Sequence, residues 1–468
     1  MFSEFIQEIF ANKILIMLIR KFYLKTVFSL CISFFKIKKY KAKKTIVVFD
    51  YCRVRDKYYF LDRLAKQCPE LYIVVVDGAG KLDLSLSKNI NYISPPVDVY
   101  YNKNNKVKKN NTIKRELNKK YYHDKIFEQY YQMNKEVLEN VGREIITNAI
   151  HLAEFFNNLI LYLFKPKVCL IWNQFHPLSR VTTSNCKGKN IAIAFLEYGL
   201  LPGTINLDLL GQMGESWIAR ENFFTDLSIC EDDILNARKT IKYIVTHGLN
   251  RKEQPKYGKL KNLPRDKKIV LLAGHNDYSS GTLPYDHIAQ KYHSPWFITS
   301  KDMFTEVLKI TAQLDLYLLY KPHPLSKKDI EVGQESENHL IIDNINIYEC
   351  IDVSDLVMTA FSQVSYLALL RDKPVVMLGY NQLRGKSITY EMSEKDGLKA
   401  TLVDALTDGY TKEMKAKWER HVAQLLRYYL YKYDETNEVS ARSIYKFSKA
   451  LHIITNQKTT DYQLAIEV

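Results

Sequence analysis

The 468-residue sequence has only seven cysteines, and no Cys-x-x-Cys pair among Cys31, Cys52, Cys68, Cys169, Cys186, Cys230 and Cys350. That excludes a zinc ribbon and a secreted disulfide scaffold, and it fits a reducing cytoplasm. Glycine (17) and proline (13) are too sparse for a collagenous or low-complexity chain. A spanning helix needs roughly 20 apolar residues; the two N-terminal apolar stretches, 14–19 and 26–35, fall well short and are bounded by Arg20, Lys21, Lys25 and Lys36. There is no Asp-x-Asp, no His-Glu-x-x-His and no Cys/His ligand spacing, so no catalytic metal is indicated. No Gly-x-Ser-x-Gly supports a hydrolase. Asp77-Gly78-Ala79-Gly80-Lys81 lacks P-loop spacing and the third glycine of a dinucleotide fingerprint.

What is present describes a globular chain. At roughly 100–200 residues per domain the length implies two to four domains, too much for a peptide hormone or a single small module. Hydrophobic residues make up 46% and charged residues 25%, which excludes wholesale disorder and a polytopic membrane protein. The formal charge of +15 is confined to two segments: residues 1–44 carry a net +8 and residues 102–120 a net +7, leaving the rest neutral. A body built to hold nucleic acid would spread that charge over a face.

In the N-terminal segment Lys13, Arg20, Lys21, Lys25 and Lys36 fall within about 160° of a helical wheel, opposite Ile, Leu and Phe. This is the pattern of an in-plane helix on anionic lipid; a helix docked on the protein's own core is the alternative. The following lysines leave no small-residue cleavage site of a signal peptide.

From residue 45 the pattern changes to short, uniformly apolar runs: 45–49 (TIVVF), 71–76 (LYIVVV), 168–172 (VCLIW) and 191–196 (IAIAFL). Buried parallel strands read this way. A helical stretch over about 114–163 separates the pairs, fed by the Asn/Lys run at 102–120. Residues 251–268 thin out in apolar content and read as a linker. A second set of strands follows at 269–273, 314–320, 340–343, 355–359 and 374–378, alternating with helices near 300–313, 347–353 and 363–371. The expected architecture is α/β, with two Rossmann-type domains (45–250 and 269–400) facing a cleft, the basic segment 1–44 before them and a helical tail, 401–468, after them.

In open α/β sheets ligands bind beyond the carboxyl ends of the strands. One strand ends in Lys321-Pro322-His323-Pro324, where two prolines fix the backbone around His323 and Lys321 adds charge for a phosphate; a turn histidine capping a helix is the plainer reading. The next strand leads to Ser362, Gln363 and Ser365, a helix start with amides and hydroxyls for an anion, although every such helix needs a cap. Other polar exits are Asn173 and His176, Asn276 and Asp277 in Gly274-His275-Asn276-Asp277, and Glu197-Tyr198-Gly199-Leu200-Leu201-Pro202-Gly203-Thr204. A carboxylate before Gly199 suits a general base, and Glu is equally common at exposed strand ends.

In this order the strand-tip residues, with Ser294-Pro295-Trp296 and the 355–374 stretch, resemble the bacterial capsule polysaccharide biosynthesis family. That family includes Kdo transferases and looks related to the bacterial sialyltransferases; the resemblance covers about 170–379. It implies a GT-B fold, an acceptor domain at 45–250, a nucleotide-sugar domain at 269–400, and a CMP-activated acidic sugar as donor. By similarity His323 and Pro324 match the motif that contacts the CMP phosphate, and Ser362 and Ser365 match the serine motif. Glu197 and Gly199 match the ends of the acidic-acidic-Gly motif, from which Tyr198 departs; Asp208 and Asp277 are further participants.

The expectation is therefore a metal-independent glycosyltransferase without cofactor, peripheral on the inner face of the cytoplasmic membrane. Glu197 and His323 would be catalytic, and Lys321, Pro324, Ser362, Gln363, Ser365, Asn276, Asp277, Gly199, Asn173 and His176 would bind substrate. Its partners would be a CMP-sugar, a lipid-linked or glycan acceptor, an anionic membrane surface and other capsule assembly proteins, with no nucleic acid. The rivals are a CDP-glycerol or polyol-phosphate transferase and a non-catalytic assembly scaffold.

Overall fold

The computed structural model describes residues 44–50, 56–77, 90–93, 143–220, 222–250, 254–258, 260, 263–283, 285–323, 336–432 and 440–456. The basic N-terminal helix, the Asn/Lys run at 102–120, the helical stretch before 143, residues 78–81 and Pro324 lie outside the described residues. The chain forms two compact units, one of residues 1–194 with 436–468 and one of residues 195–435. Each holds a parallel, Rossmann-like sheet wound with helices.

In the first unit β1 (Lys44–Asp50), β2 (Leu71–Asp77), β3 (Ile90–Ile93) and β4 (Val168–Trp172) pair in parallel in the order β4-β1-β2-β3. The register sets Val47 beside Val74 and Cys169. Side chains alternate across a strand, so Val47, Phe49, Val74 and Val76 share one face while Ile46, Val48, Ile73 and Val75 share the other; all are buried. With both faces covered, these strands show no polar alternation.

After β1 comes α1 (Asp56–Gln67). α2 (Arg143–Phe164) lays Ile150, Ala153, Phe156, Ile160 and Phe164 on the first sheet face at helical spacing. It stops where Lys165 takes φ 44° and Pro166 follows. Asn157 of α2 donates to Thr182 of α3 (Pro177–Gly188) at 2.7 Å. The C-terminal helix Ala441–Asn456 also belongs to this unit, its Phe447 ring 4.8 Å from Phe60 of α1.

β5 (Ala192–Tyr198) leads into the second unit, where its end pairs antiparallel with β6 (Thr204–Asp208). α4 (Glu231–Thr246) follows. The main sheet is entirely parallel: β7 (Ile269–Ala273), β8 (Tyr317–Lys321), β9 (His339–Ile341), β10 (Leu356–Thr359), β11 (Val375–Met377) and β12 (Tyr390–Glu391), in the order β12-β11-β10-β7-β8-β9. Its helices are α5 (His287–Tyr292), α6 (Ser300–Gln313), α7 (Ile347–Val353), α8 (Val364–Leu369), α9 (Leu398–Asp408) and α10 (Lys412–Gln424). Val270, Leu272, Leu318, Met358 and Val376 form the core with Met303, Val307 and Ile310 of α6.

Two stretches differ from the sequence reading. The tail is not continuously helical: after α10 and a π turn, Leu425–Tyr429, strand β13 (Leu430–Lys432) pairs antiparallel with β6. The aromatic run through Tyr428, Tyr429 and Tyr431 carries the β preference that helical periodicity hid. The described part of the 251–268 stretch is not a free spacer. Gln254 Oε1 accepts from Ile347 N at 3.1 Å, Asn346 donates to Pro255 O at 3.0 Å, and Glu349 accepts from the amides of Gly258 and Leu260 at 3.0 and 2.5 Å, strapping it along α7.

Candidate functional site

The carboxyl ends of β7, β8, β10 and β11 converge because the glycines at two of them admit no side chain. A Cβ at Gly274 would lie 2.8 Å from Tyr320 Oη and 3.3 Å from Pro322 Cα, so the exits of β7 and β8 touch there. A Cβ at Gly379 would lie 2.4 Å from His293 O and 3.1 Å from Ala360 O, which sets the exit of β11 against that of β10. Lys321 is the last residue of β8 and its carbonyl accepts from Gly274 N at 2.9 Å. Pro322 is buried and His323 half-buried at this corner.

Beyond β10 the chain turns through Ser362 and Gln363 into α8. Gln363, not Ser362, is the residue immediately before the helix, and its own side chain caps nothing. Ser362 Oγ accepts from Val364 N at 3.3 Å. Ser365 is fully buried, donates to Ser362 O at 2.9 Å and accepts from Asn381 Nδ2 at 3.1 Å, so its hydroxyl holds the turn together. Gln363 Nε2 reaches Gly199 O at 3.2 Å and Tyr198 O at 3.5 Å. The serine turn and the Glu197-Tyr198-Gly199 segment are thus joined directly.

Glu197 lies inside β5 and not beyond it, because pairing with β6 carries the strand on to Tyr198, with Glu197 opposite Asn206. Its side chain is mostly buried and Oε1 accepts from Tyr198 N at 2.9 Å. Gly199 N donates to Thr204 O at 2.7 Å, closing a hairpin through Gly203 at φ 73°. A Cβ at Gly199 would stand 2.0 Å from Thr204 Oγ1. Close packing of the hairpin therefore requires this glycine.

Asp208 closes the end of β6. It is fully buried, Oδ1 accepts from the amides of Leu210 and Gly211 at 2.8 and 3.0 Å, and Oδ2 accepts from Trp217 N at 3.1 Å and Tyr429 Oη at 2.9 Å. Burial pushes its carboxyl up to about 7 against the pull of those donors. Asp277 is placed differently. Oδ1 accepts from Ser300 N at 2.9 Å and Ser300 Oγ at 2.8 Å. Neighbouring Asn276 turns its Oδ1 to Ser279 N at 2.7 Å.

Asn173 and His176 lie in the first unit, at the exit of β4. Asn173 takes φ 53° and its Oδ1 accepts from Phe175 N at 3.0 Å. His176 caps α3, with Nδ1 accepting from Leu178 N at 3.3 Å. Burial lowers this imidazole to about 4, consistent with a lone pair kept at Nδ1.

Three residues were not singled out in the sequence. His275 is buried within the quoted Gly274–Asp277 tip, its ring 4.3 Å from Phe361. His293, fully buried beside the quoted Ser294-Pro295-Trp296, sets Nε2 2.9 Å from Glu215 Oε1. Glu215 carries no motif, and 78 positions separate the pair. Among the described residues no group of three or more His, Cys, Asp or Glu is arranged to hold a metal, and no helix is long and apolar enough to cross a membrane.

No protein-family model matches the chain, and no curated protein matches it. Solved structures do. A KpsC β-Kdo 2,7-transferase of Thermosulfurimonas dismutans aligns at 17% identity and TM-score 0.38 over 62% of this chain and 86% of its own. The KpsC β-Kdo 2,4-transferase of the same organism aligns at 15% and 0.42 over 62% and 87%. The UDP-GlcNAc 2-epimerase of Neisseria meningitidis bound to UDP-GlcNAc aligns at 12% and 0.36 over 87% and 99%.

Proposed function

We propose that the chain is a metal-independent glycosyltransferase that moves an acidic sugar, Kdo or a sialic-acid-type residue, from CMP to a lipid-linked or glycan acceptor during capsule assembly. The observation that carries this reading is the Gln363–Gly199 bond of 3.2 Å. It joins the serine turn to the Glu197-Tyr198-Gly199 segment, two stretches more than 160 positions apart that the family resemblance assigns to one reaction.

In the transfer, the acceptor oxygen attacks the anomeric carbon as the bond to the CMP phosphate breaks, and the phosphate departs with the electron pair. His323 and Lys321 would donate to that phosphate, and Ser362 would offer its hydroxyl while Ser365 and Asn381 hold the turn. Fixed donors aimed at developing charge contribute the largest share of many rate enhancements. Glu197 would take the acceptor's proton. Residues 269–400 would hold the nucleotide sugar, 45–250 the acceptor, and the basic segment 1–44 would keep the enzyme on an anionic membrane surface beside a lipid-borne acceptor. Deleting 1–44 should release the protein from anionic vesicles and leave CMP binding intact.

The experiment is a donor panel with the full-length protein: CMP-Kdo, CMP-sialic acid, CDP-glycerol and UDP-GlcNAc, in EDTA. Release of CMP with transfer to a capsule acceptor is the expected result. Consumption of CDP-glycerol alone would move the chain to polyol-phosphate transfer, and binding without turnover of any donor would leave a scaffold.

A further inference from the structure

We infer that Ser300 and His275 are positioning residues that hold Asp277 toward the sugar donor. The inference rests on the transfer reading above, together with the sequence expectation that Asp277 binds substrate. Asp277 follows β7, which lies between β10 and β8 in the main sheet. Three groups of the chain crowd one of its two oxygens. Ser300 N lies 2.9 Å, Ser300 Oγ 2.8 Å and His275 Nε2 3.0 Å from Oδ1. Oδ2 makes no hydrogen bond among the described residues, and 16% of the Asp277 side chain is exposed. A carboxylate with one oxygen saturated and the other uncommitted is fixed in orientation before any ligand arrives, which is the preorganisation that transition-state stabilisation needs.

The supports of that oxygen are themselves fixed. Ser300 is the first residue of α6, buried behind the reciprocal cap of Thr299 and Asp302, and its hydroxyl proton is shared between Asp277 Oδ1 and His275 O at 2.8 Å. His275 is 4% exposed and its ring is tilted on Phe361, so it cannot turn toward solvent. Its Nε2 stands 3.0 Å from Asp277 Oδ1, close enough to limit where that oxygen can move. Neither ring nitrogen has a well-aligned hydrogen-bond partner.

A double-mutant cycle in the full-length protein tests this, using whichever donor of the panel the wild type turns over. Ser300→Ala should lower kcat/KM about 10–100-fold, the range for losing a hydrogen bond to a charged group. In an Asp277→Asn background the same change should cost less than about 3-fold, because Ser300 acts through Asp277. His275→Asn should behave likewise. Ser300→Thr, which keeps the hydroxyl, should recover most of the rate, and it replaces the alanine variant if that one unfolds. Additive losses, or a lowered Tm with unchanged kcat/KM, would overturn the positioning role. A wild type that turns over no donor overturns the transfer reading and this role with it, an outcome distinct from an active wild type with an additive cycle.

Discussion

Asp208 makes the stability of the protein depend on pH in a direction opposite to that of most carboxylates. Its side chain is fully buried and its carboxyl is pushed up to about 7, first by burial, while Gly211, Leu210, Tyr429 and Trp217 donate to it and oppose the rise. In the unfolded chain an aspartate titrates near 3.9. Between about 4 and about 7 the folded protein therefore binds more protons than the unfolded one, and stability falls as pH rises through that window. At about 1.4 kcal/mol for each decade, the cost of ionising Asp208 reaches about 4 kcal/mol above pH 7 and is absent below pH 4.

Asp208→Asn removes the titration. It keeps an acceptor for the amides of Leu210 and Gly211 but sets an NH2 group against Trp217 N and Tyr429 Oη, a loss of about 1–3 kcal/mol. The variant should be clearly less stable than wild type at pH 5, with the deficit shrinking or reversing by pH 8. Urea denaturation of both proteins at pH 5, 6, 7 and 8 reads this directly, because the difference between them cancels other titrating groups such as the buried His421. A difference that stays constant with pH, or a wild-type advantage that grows toward pH 8, would refute the reasoning.

Other variants bear on the site. His323→Ala should weaken CMP binding about 10–100-fold by calorimetry without lowering Tm, as expected for a lost contact to a charged group; unchanged affinity and turnover would remove it from the mechanism. Glu197→Gln should retain CMP affinity and lose about 10²–10⁴-fold in kcat; a surviving rate would place the base elsewhere, Asp277 being the next carboxylate to test. Gly199→Ala puts a Cβ 2.0 Å from Thr204 Oγ1 and should destabilise the protein by about 1–3 kcal/mol in thermal unfolding; an unchanged Tm would show that the hairpin yields freely.

The parallel strands were legible because burial on both faces leaves one signal, an apolar run such as 269–273 or 168–172, and the structure puts strands at those positions. β6 was not legible. Asn206 and Asp208 sit in it fully buried, and polar residues in a short stretch read as loop. What permits them there is Tyr429, 221 positions beyond Asp208, whose hydroxyl meets both side chains; local sequence contains no trace of it. The exit of β4 shows the converse. Asn173 and His176 look like site residues because a polar strand exit reads alike whether it faces a ligand or closes its own turn, and their bonds to Phe175 and Leu178 become visible only in three dimensions. His293 and Glu215 escaped for the same reason as Tyr429, a pairing across distance in sequence.

The central claim, that the strand exits at His323 and Ser362 serve a CMP-activated donor, is tested most directly by nucleotide binding itself. Calorimetric titration of CMP, UDP and GDP into the full-length protein with EDTA present should give measurable affinity for CMP, weaker binding of UDP and GDP, and a CMP affinity that falls in His323→Ala. Preference for UDP or GDP, or CMP binding that vanishes in EDTA and returns with a divalent metal, would contradict the account.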